Sequence, residues 1–232
     1  EHAMAKLVLF DIDETILYSD GVGRRAMQTA LSKVFEHEVD AAGHNMSGKT
    51  DPQICFELLG SLGYEEAVIE QRLPAIFNEY VSCLEHEIAS AQSFRLHGGV
   101  LVLIDRLAQD TSCRLALLTG NIEIGARLKL KPFDLNKHFC TGAFGSDAAD
   151  RLKLPEIAHR RAHDAFAVQF DRSDIVIIGD ATNDVYCAKG YGVTSIVTCT
   201  GRTPKEELAA LNPDFLFDSL ENTEAVCRAI FS

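Results

Sequence analysis

The stretch KLVLFDIDET, residues 6–15, decides how the rest of the chain is interpreted. After its first lysine it is apolar without interruption up to Asp11, whereas a strand with one face in water would alternate polar and apolar side chains. Unbroken apolarity predicts a strand that is buried on both faces, as in a parallel sheet. Directly after the apolar run, Asp11 and Asp13 are two carboxylates that repel each other. Such a pair calls for a compensating cation, although a surface loop could carry it too.

Four later segments repeat this apolar pattern, and stretches of helical period and length lie between them. The segments are residues 115–118, 175–178, 195–197 and, with a weaker signal, 215–217. Strands that alternate with helices in this way are typical of an α/β protein with a doubly wound, Rossmann-like parallel sheet.

Residues 20–92 follow a different pattern. Apolar residues recur there at helical spacing, for example at Val22, Ala26 and Ala30, and no strand signal interrupts them. We therefore predict a core domain made of residues 4–19 and 93–232. An all-helical domain of residues 20–92 is inserted into it after the first strand.

Composition narrows the choice of partners. The chain has 34 acidic and 22 basic residues, a net charge of -12, and no block of basic residues. Nucleic acids and anionic membranes need a cationic binding surface, so neither is an expected partner. The longest apolar runs, such as residues 100–104, are too short to cross a bilayer. Seven cysteines without CxxC spacing fit reduced thiols, and we expect a cytoplasmic monomer or weak homodimer.

Polar residues follow two of the later apolar runs. Thr119, Gly120 and Asn121 come after one of them and offer donors for a phosphoryl group, or else form an ordinary turn. Asp180 and Asp184 come after another and indicate either metal ligands or a polar loop. Open parallel sheets bind ligands at the carboxyl ends of their strands. We therefore expect these groups to meet the first acidic pair in space.

A cation could complete this group. Arg151 and Lys153 lie between the two polar segments in sequence, shortly before Pro155, a residue that favours a helix start. Either side chain could neutralise the carboxylates and bind phosphate. The alternative is a solvated charge at the beginning of a helix.

The order and spacing of these groups resemble the four motifs of the haloacid dehalogenase superfamily, over essentially the whole chain. The helical insertion lies between motifs one and two. The branch of phosphoglycolate phosphatase and β-phosphoglucomutase carries its C1 cap there. Glu14 departs from the pattern, because that position is usually glycine in the family. The matching residues, from motif one to motif four, are Asp11, Asp13 and Thr15; Thr119; Arg151 or Lys153; and Gly179, Asp180 and Asp184.

The resemblance implies a magnesium-dependent phosphatase for a small phosphate monoester, such as phosphoglycolate or a sugar phosphate. Asp11 would attack phosphorus to give an aspartyl-phosphate, and Asp13 would act as general acid and base. The implied Mg²⁺ ligands are Asp11, the Asp13 carbonyl, Asp180 and Asp184. The other implied catalytic or substrate-binding groups are Thr15, Thr119, Gly120, Asn121, Arg151 and Lys153.

Substrate choice is expected to come from the cap. Residues 48–51, Gly-Lys-Thr-Asp, resemble the loop that this branch extends into its site, and Lys49 is the expected substrate contact. Arg24 and Arg25, near the start of the first cap helix, are further candidates.

Three other functions stay open from sequence. A phosphomutase of the β-phosphoglucomutase type would use the same aspartyl-phosphate. A haloacid dehalogenase does not need the second aspartate, which this chain has as Asp13. A non-catalytic phosphate-binding protein would have no need of the full set of catalytic groups. In each case the expected ligand is a small molecule.

Overall fold

A computed structural model describes residues 5–232, so Met4, the first residue of the predicted core domain, lies outside the described residues. The strands are β1 Lys6–Phe10, β2 Leu17–Tyr18, β3 Arg95–Leu96, β4 Cys113–Leu118, β5 Gly142–Ala143, β6 Ile175–Gly179, β7 Thr194–Thr198 and β8 Phe215–Phe217. The helices are α1 Val22–Phe35, α2 Asp51–Ser61, α3 Glu66–Ser90, α4 Val100–Gln109, α5 Glu123–Leu130, α6 Leu154–Phe166, α7 Thr182–Tyr191, α8 Lys205–Ala210 and α9 Thr223–Ile230.

Within residues 5–232, six of the strands form one parallel sheet in the order β5-β4-β1-β6-β7-β8. β1 lies between β4 and β6, with Phe10 opposite both Leu117 and Ile178. The sheet confirms the predicted α/β fold. It also delivers Asp11, the residue after β1, to the middle of the sheet's carboxyl edge.

Helices cover both faces of the sheet. Leu7 and Leu9 of β1 pack in a cluster with α6 and α7, whereas Val8 and Phe10 pack in another with α4, α5 and α9. All four side chains are fully buried. Burial of such a side chain contributes about 1.5–3 kcal/mol, which explains why β1 is apolar at every position that follows Lys6.

Helices α1–α3 pack around a hydrophobic cluster of their own, with Met27, Leu59 and Tyr80 among its buried members. β2 and β3 flank these helices in sequence and pair antiparallel, with Leu17 opposite Leu96. The chain therefore leaves and re-enters the sheet region at adjacent points. The helices of this segment begin at Val22 and end at Ser90, and the domain boundaries at 20 and 92 stay predictions.

The short edge strand β5 was not predicted. It has two residues, and a Cβ on Gly142 would lie 2.7 Å from the carbonyl oxygen of Leu117. This close approach requires glycine and leaves too few apolar residues for a sequence signal. Among residues 5–232, none of the helices combines the length and the apolarity that a bilayer-spanning segment needs.

Candidate active site

Three neighbouring strand ends open into one cavity. β1, β4 and β6 are parallel and adjacent, so the residues that follow them share one edge of the sheet. Asp11, Thr119 and Asp180 occupy these positions and line the cavity together. Residues of α1, α2 and α3 line its opposite wall. The cavity therefore lies between the sheet and the inserted helices.

Asp11 is held in a buried position at the centre of this edge. Its backbone N–H donates to the Ile178 carbonyl at 3.0 Å, and its Oδ1 accepts from the Ile12 N–H at 2.8 Å. Burial raises the pKa of Asp11 to about 7; Arg151 opposes this rise, and Asp184 and Asp13 add to it. An ionised Asp11 therefore needs more positive charge nearby than Arg151 supplies.

Arg151 is the cation that reaches this cluster. It is buried in a short 3₁₀ helix, Arg151–Lys153, and its Nη2 lies 2.6 Å from Asp184 Oδ1 and 3.1 Å from Asp11 Oδ2. Burial lowers the pKa of Arg151, but Asp11 and Asp184 outweigh that effect and raise it. The guanidinium stays charged.

Lys153, the other candidate for this cation, does not reach the acidic cluster, so its predicted catalytic role is wrong. Its side chain is exposed and is not among the residues that line the cavity. Residues three apart lie on the same side of a 3₁₀ helix, and Arg151 shares the buried side with Leu154. Lys153 therefore points to solvent.

Asp11, Asp180 and Asp184 could hold a divalent metal ion. Each offers one carboxylate oxygen, and these atoms lie within 4.8 Å of one another. All three side chains are buried, and Arg151 brings one positive charge against their three negative charges. Burial raises the pKa of Asp180 well above its usual value, and Asp184 and Asp11 raise it further. A buried set of oxygen ligands with excess negative charge fits Mg²⁺.

Thr15 orients this acidic cluster. Its Oγ1 donates to Asp180 Oδ1 at 2.9 Å. Asp184 is oriented separately, since its Oδ2 accepts from the N–H groups of Asp180 and Ala181 at 3.1 and 3.0 Å. Thr15 is fully buried and does not line the cavity, which corrects its predicted role in substrate binding. The turn after β1 points its hydroxyl at Asp180 instead.

The carboxylate of Asp13 is held away from this cluster by a lysine on α5. Lys129 Nζ lies 2.7 and 2.8 Å from the two oxygens of Asp13 and 2.7 Å from Asn121 Oδ1. Asn121 Nδ2 donates to Asp13 Oδ2 at 2.7 Å and to Thr119 Oγ1 at 2.8 Å. Asp13 remains 32% exposed, facing the cavity that it lines. Among residues 5–232 its backbone carbonyl accepts no backbone hydrogen bond, so it is free to act as the predicted metal ligand.

Lys129 was missed in the sequence. It is 3% exposed, which is rare for a lysine unless its ammonium is paired. One signal was present: Lys129 falls at helical spacing from the buried residues Ile122 and Ala126, on the apolar face of α5. A lysine at that position of the helix must either turn its side chain away from the apolar face or pair its ammonium with an acidic side chain.

The loop that precedes α2 docks on the loop that follows β4. The Asp51 N–H donates to the Gly120 carbonyl at 2.8 Å, and Asp51 Oδ2 accepts from the Ile122 N–H at 2.8 Å. A Cβ on Gly120 would lie 2.0 Å from the Lys49 carbonyl oxygen, so only glycine allows this approach. Burial raises the pKa of Asp51 to about 6, against the opposing effects of Lys129 and the Ile122 N–H.

Lys49 lines the cavity, but its ammonium is already paired. Its Nζ lies 2.5 Å from Glu57 Oε2, and His44 Nε2 lies 2.8 Å from the same oxygen. The predicted substrate contact through the Lys49 charge therefore competes with an ion pair inside the cap.

Glu14 adopts the conformation that glycine adopts freely. Its φ is 61°, in the left-handed region that costs a non-glycine residue free energy. Its side chain helps to hold the turn, because Oε1 accepts from the Ser19 hydroxyl at 2.8 Å and from the Ser19 N–H at 3.2 Å. Glu14 therefore keeps a backbone conformation that suits glycine, and this departure from the family pattern removes no polar group from the cavity.

Solved structures with this fold support the architecture. CbbY from Rhodobacter sphaeroides in complex with phosphate is 22% identical, with a TM-score of 0.71 over 94% of this chain and 96% of that chain. A predicted phosphatase from Clostridium acetobutylicum is 19% identical, with a TM-score of 0.71 over 97% and 99%. A predicted phosphoglycolate phosphatase from Haemophilus somnus is 18% identical, with a TM-score of 0.70 over 96% and 98%. Identities this low establish a shared fold alone.

The family follows from sequence. No curated protein matches this chain. The model of the haloacid dehalogenase-like hydrolase family matches residues 8–189, a range that contains Asp11, Thr119, Arg151, Asp180 and Asp184. The chain therefore belongs to the haloacid dehalogenase-like hydrolase family.

Proposed function

We propose that this hydrolase is a magnesium-dependent phosphatase that acts on a small phosphate monoester through an aspartyl-phosphate on Asp11. One observation carries the proposal: a buried carboxylate at a strand end faces a cavity, beside two more carboxylates and an arginine. Such a cluster can bind a metal ion and a phosphoryl group together, which phosphoryl transfer requires.

In the first step a carboxylate oxygen of Asp11 attacks phosphorus, and the bond from phosphorus to the ester oxygen breaks. Asp13 gives its proton to the departing alcohol. In the second step Asp13 takes a proton from water, which attacks the aspartyl-phosphate and releases inorganic phosphate. Arg151 and Thr119 would hold phosphoryl oxygens, as would the Asn121 amide once it releases Asp13 or Thr119.

A bound Mg²⁺ would be held by the carboxylates of Asp11, Asp180 and Asp184 and by the Asp13 carbonyl, and would offset the charge of the phosphoryl oxygens. Lys129 keeps the Asp13 carboxylate at the cavity wall rather than in this acidic cluster. The two aspartates can then serve as nucleophile and as acid and base without competing for one cation.

The test is phosphate release from p-nitrophenyl phosphate and from a panel of metabolite phosphates, with Mg²⁺ and with EDTA. Wild type should release phosphate only with Mg²⁺, and Asp11→Asn should not. Asp134→Asn is the matched control, since Asp134 is exposed and pairs with Lys137 at the surface. Full turnover by Asp11→Asn would refute the mechanism. Transfer of the phosphoryl group back to a sugar would favour the phosphomutase, and tight binding without release a phosphate-binding protein.

A cytoplasmic location, a small phosphorylated partner, and the lack of nucleic-acid and membrane partners stay proposals that rest on composition. The same holds for a monomer or weak homodimer. Size-exclusion chromatography with light scattering would measure the assembly directly.

A further inference from the structure

Basic side chains that line the cavity differ in whether a carboxylate neutralises them. Those found within residues 5–232 are Arg24, Lys49, Lys129, Arg151 and Arg202. Lys49, Lys129 and Arg151 are paired with carboxylates, as described above. Arg24 and Arg202 make no ion pair in the described part of the chain.

Arg24 is anchored on the side of the inserted helices. It lies on α1, and its Nη1 donates to the carbonyl groups of Ala41 and His44, the latter at 2.8 Å. These bonds use one nitrogen of a planar group that carries five N–H donors. The other donors of Arg24 have no hydrogen-bond partner among residues 5–232, and the side chain lines the cavity.

Arg202 is carried by a loop that is fixed next to the acidic cluster. A Cβ on Gly201 would lie 1.8 Å from Asp180 Oδ2, so the backbone before Arg202 packs directly against that carboxylate. Thr200 Oγ1 donates to the Glu14 carbonyl at 2.5 Å and ties the loop to the turn after β1. The exposed side chain of Arg202 therefore starts from a fixed point at the cavity edge.

The two guanidinium groups are near enough to affect each other. Burial lowers the pKa of Arg24, and the positive charge of Arg202 lowers it further. Both residues also line a neighbouring surface hollow, so they lie where the cavity opens outward. Glu207 borders that hollow but pairs with neither arginine in the described residues. An anion between the two groups would relieve their repulsion.

We propose that Arg24 and Arg202 form a second anion subsite, and that the substrate is a phosphate monoester with another anionic group, a carboxylate or a second phosphate. This inference rests on the proposed function. The phosphoryl group would occupy the Asp11 end of the cavity, and the second anion would bridge a cap helix and a core loop. Selectivity then comes from both sides of the cavity, with Lys49 neutralised inside the cap.

The test measures binding of paired ligands to Asp11→Asn in the presence of Mg²⁺ by titration calorimetry. One series is ω-carboxyalkyl phosphates of increasing chain length, and the other is alkyl phosphates of matching length. At the best length we expect the carboxylate to strengthen binding by about tenfold or more, because hydrogen bonds between charged groups are among the stronger ones. Adding Arg24→Gln or Arg202→Gln should bring the ratio of the two dissociation constants close to one.

Two basic residues serve as matched controls. Arg25, the other arginine predicted as a substrate contact, does not line the cavity and pairs with Glu87 instead. Lys205, three residues after Arg202, pairs with Asp218. Glutamine at either position should leave the ratio of the dissociation constants as it is. Arg24 also ties down the loop at Ala41, so the exposed Arg202 gives the cleaner variant.

A ratio near one at every chain length, or a high ratio that neither arginine substitution lowers, would overturn the subsite. The proposed function is read separately, from phosphate release when wild type is given the alkyl phosphates. Release without carboxylate selectivity would refute the subsite and support the phosphatase. Selective binding without any release would support the subsite and refute the phosphatase.

Discussion

Replacing Lys129 with methionine removes the cation that holds Asp13 and keeps most of the buried side-chain volume. The ammonium lies 2.7–2.8 Å from the two Asp13 oxygens and from Asn121 Oδ1. Hydrogen bonds to charged groups contribute about 1.5–3 kcal/mol each. These three share one donor group, and Asp13 is 32% exposed, so screening reduces the total. We expect a loss of about 2–3 kcal/mol in the placement of Asp13.

The assay compares two leaving groups. An alkyl phosphate must receive a proton as its ester bond breaks, whereas p-nitrophenolate leaves as an anion. Misplacing the proton donor Asp13 should therefore lower kcat/KM for an alkyl phosphate by about 30–150-fold, the rate equivalent of about 2–3 kcal/mol. For p-nitrophenyl phosphate the loss should be only a few-fold.

Lys131→Met is the matched control, because Lys131 is two residues away and exposed. It should leave both substrates unaffected. Equal losses on the two substrates in Lys129→Met would refute the reasoning, since they would mean that Lys129 supports folding or substrate binding rather than the position of Asp13. Thermal unfolding of each variant separates a folding defect from the others.

Gly120→Ala should push the Lys49 carbonyl away and raise KM, because the new Cβ would lie 2.0 Å from that oxygen. Gly60→Ala is the control, since its Cβ would meet open space and should leave KM unchanged. An unchanged KM in both variants would contradict the tight docking of the loop before α2 on the loop after β4. Burial raises the pKa of Asp51 from 3.8 to about 6, so its ionisation leaves stability intact below pH 3.8 and costs stability as pH rises through about 6. Asp51→Asn should therefore match wild type in acid and gain about 3 kcal/mol above about pH 7 in urea unfolding, and a gain that is independent of pH would be the contrary result. The pKa values of Asp11, to about 7, and of Asp180 are raised without metal, so calorimetry should show Mg²⁺ affinity falling by about tenfold or more per pH unit below pH 7, and a flat profile would contradict metal binding by this acidic cluster.

The sheet could be predicted from sequence because β1, β4, β6 and β7 are buried on both faces over most of their length, and the half-buried β8 gave the weaker signal. β1 and β8 have the predicted bounds, and β4, β6 and β7 extend the predicted segments by one or two residues. The edge strand β5 was not predicted because its two residues carry no apolar pattern. Parallel topology then places the residues after β1, β4 and β6 together without further information.

Contacts between distant segments could not be predicted in the same way. Lys129 meets Asp13 across 116 positions of sequence, and the contact depends on how α5 rotates against the sheet. The choice between Arg151 and Lys153 depended on the helical turn that carries them, because a shift of two residues changes a buried side into an exposed one.

The sequence also did not predict which acidic side chain pairs with each basic one. Lys49 was the expected substrate contact, and Glu57, eight residues later on α2, neutralises its charge. Arg202 gave no signal at all, since its place at the cavity comes from the close packing of Gly201 against Asp180. Which cations remain unpaired is a property of the folded chain.

Trapping the covalent intermediate tests the central claim most directly. Wild type turning over an alkyl phosphate with Mg²⁺ is quenched in acid, and the mass of the peptide that contains Asp11 is measured. We predict that this peptide gains the mass of one phosphoryl group, that borohydride reduction locates the group on Asp11, and that Asp11→Asn gains nothing. Sustained phosphate release with no phosphoryl group on that peptide would contradict Asp11 as the nucleophile.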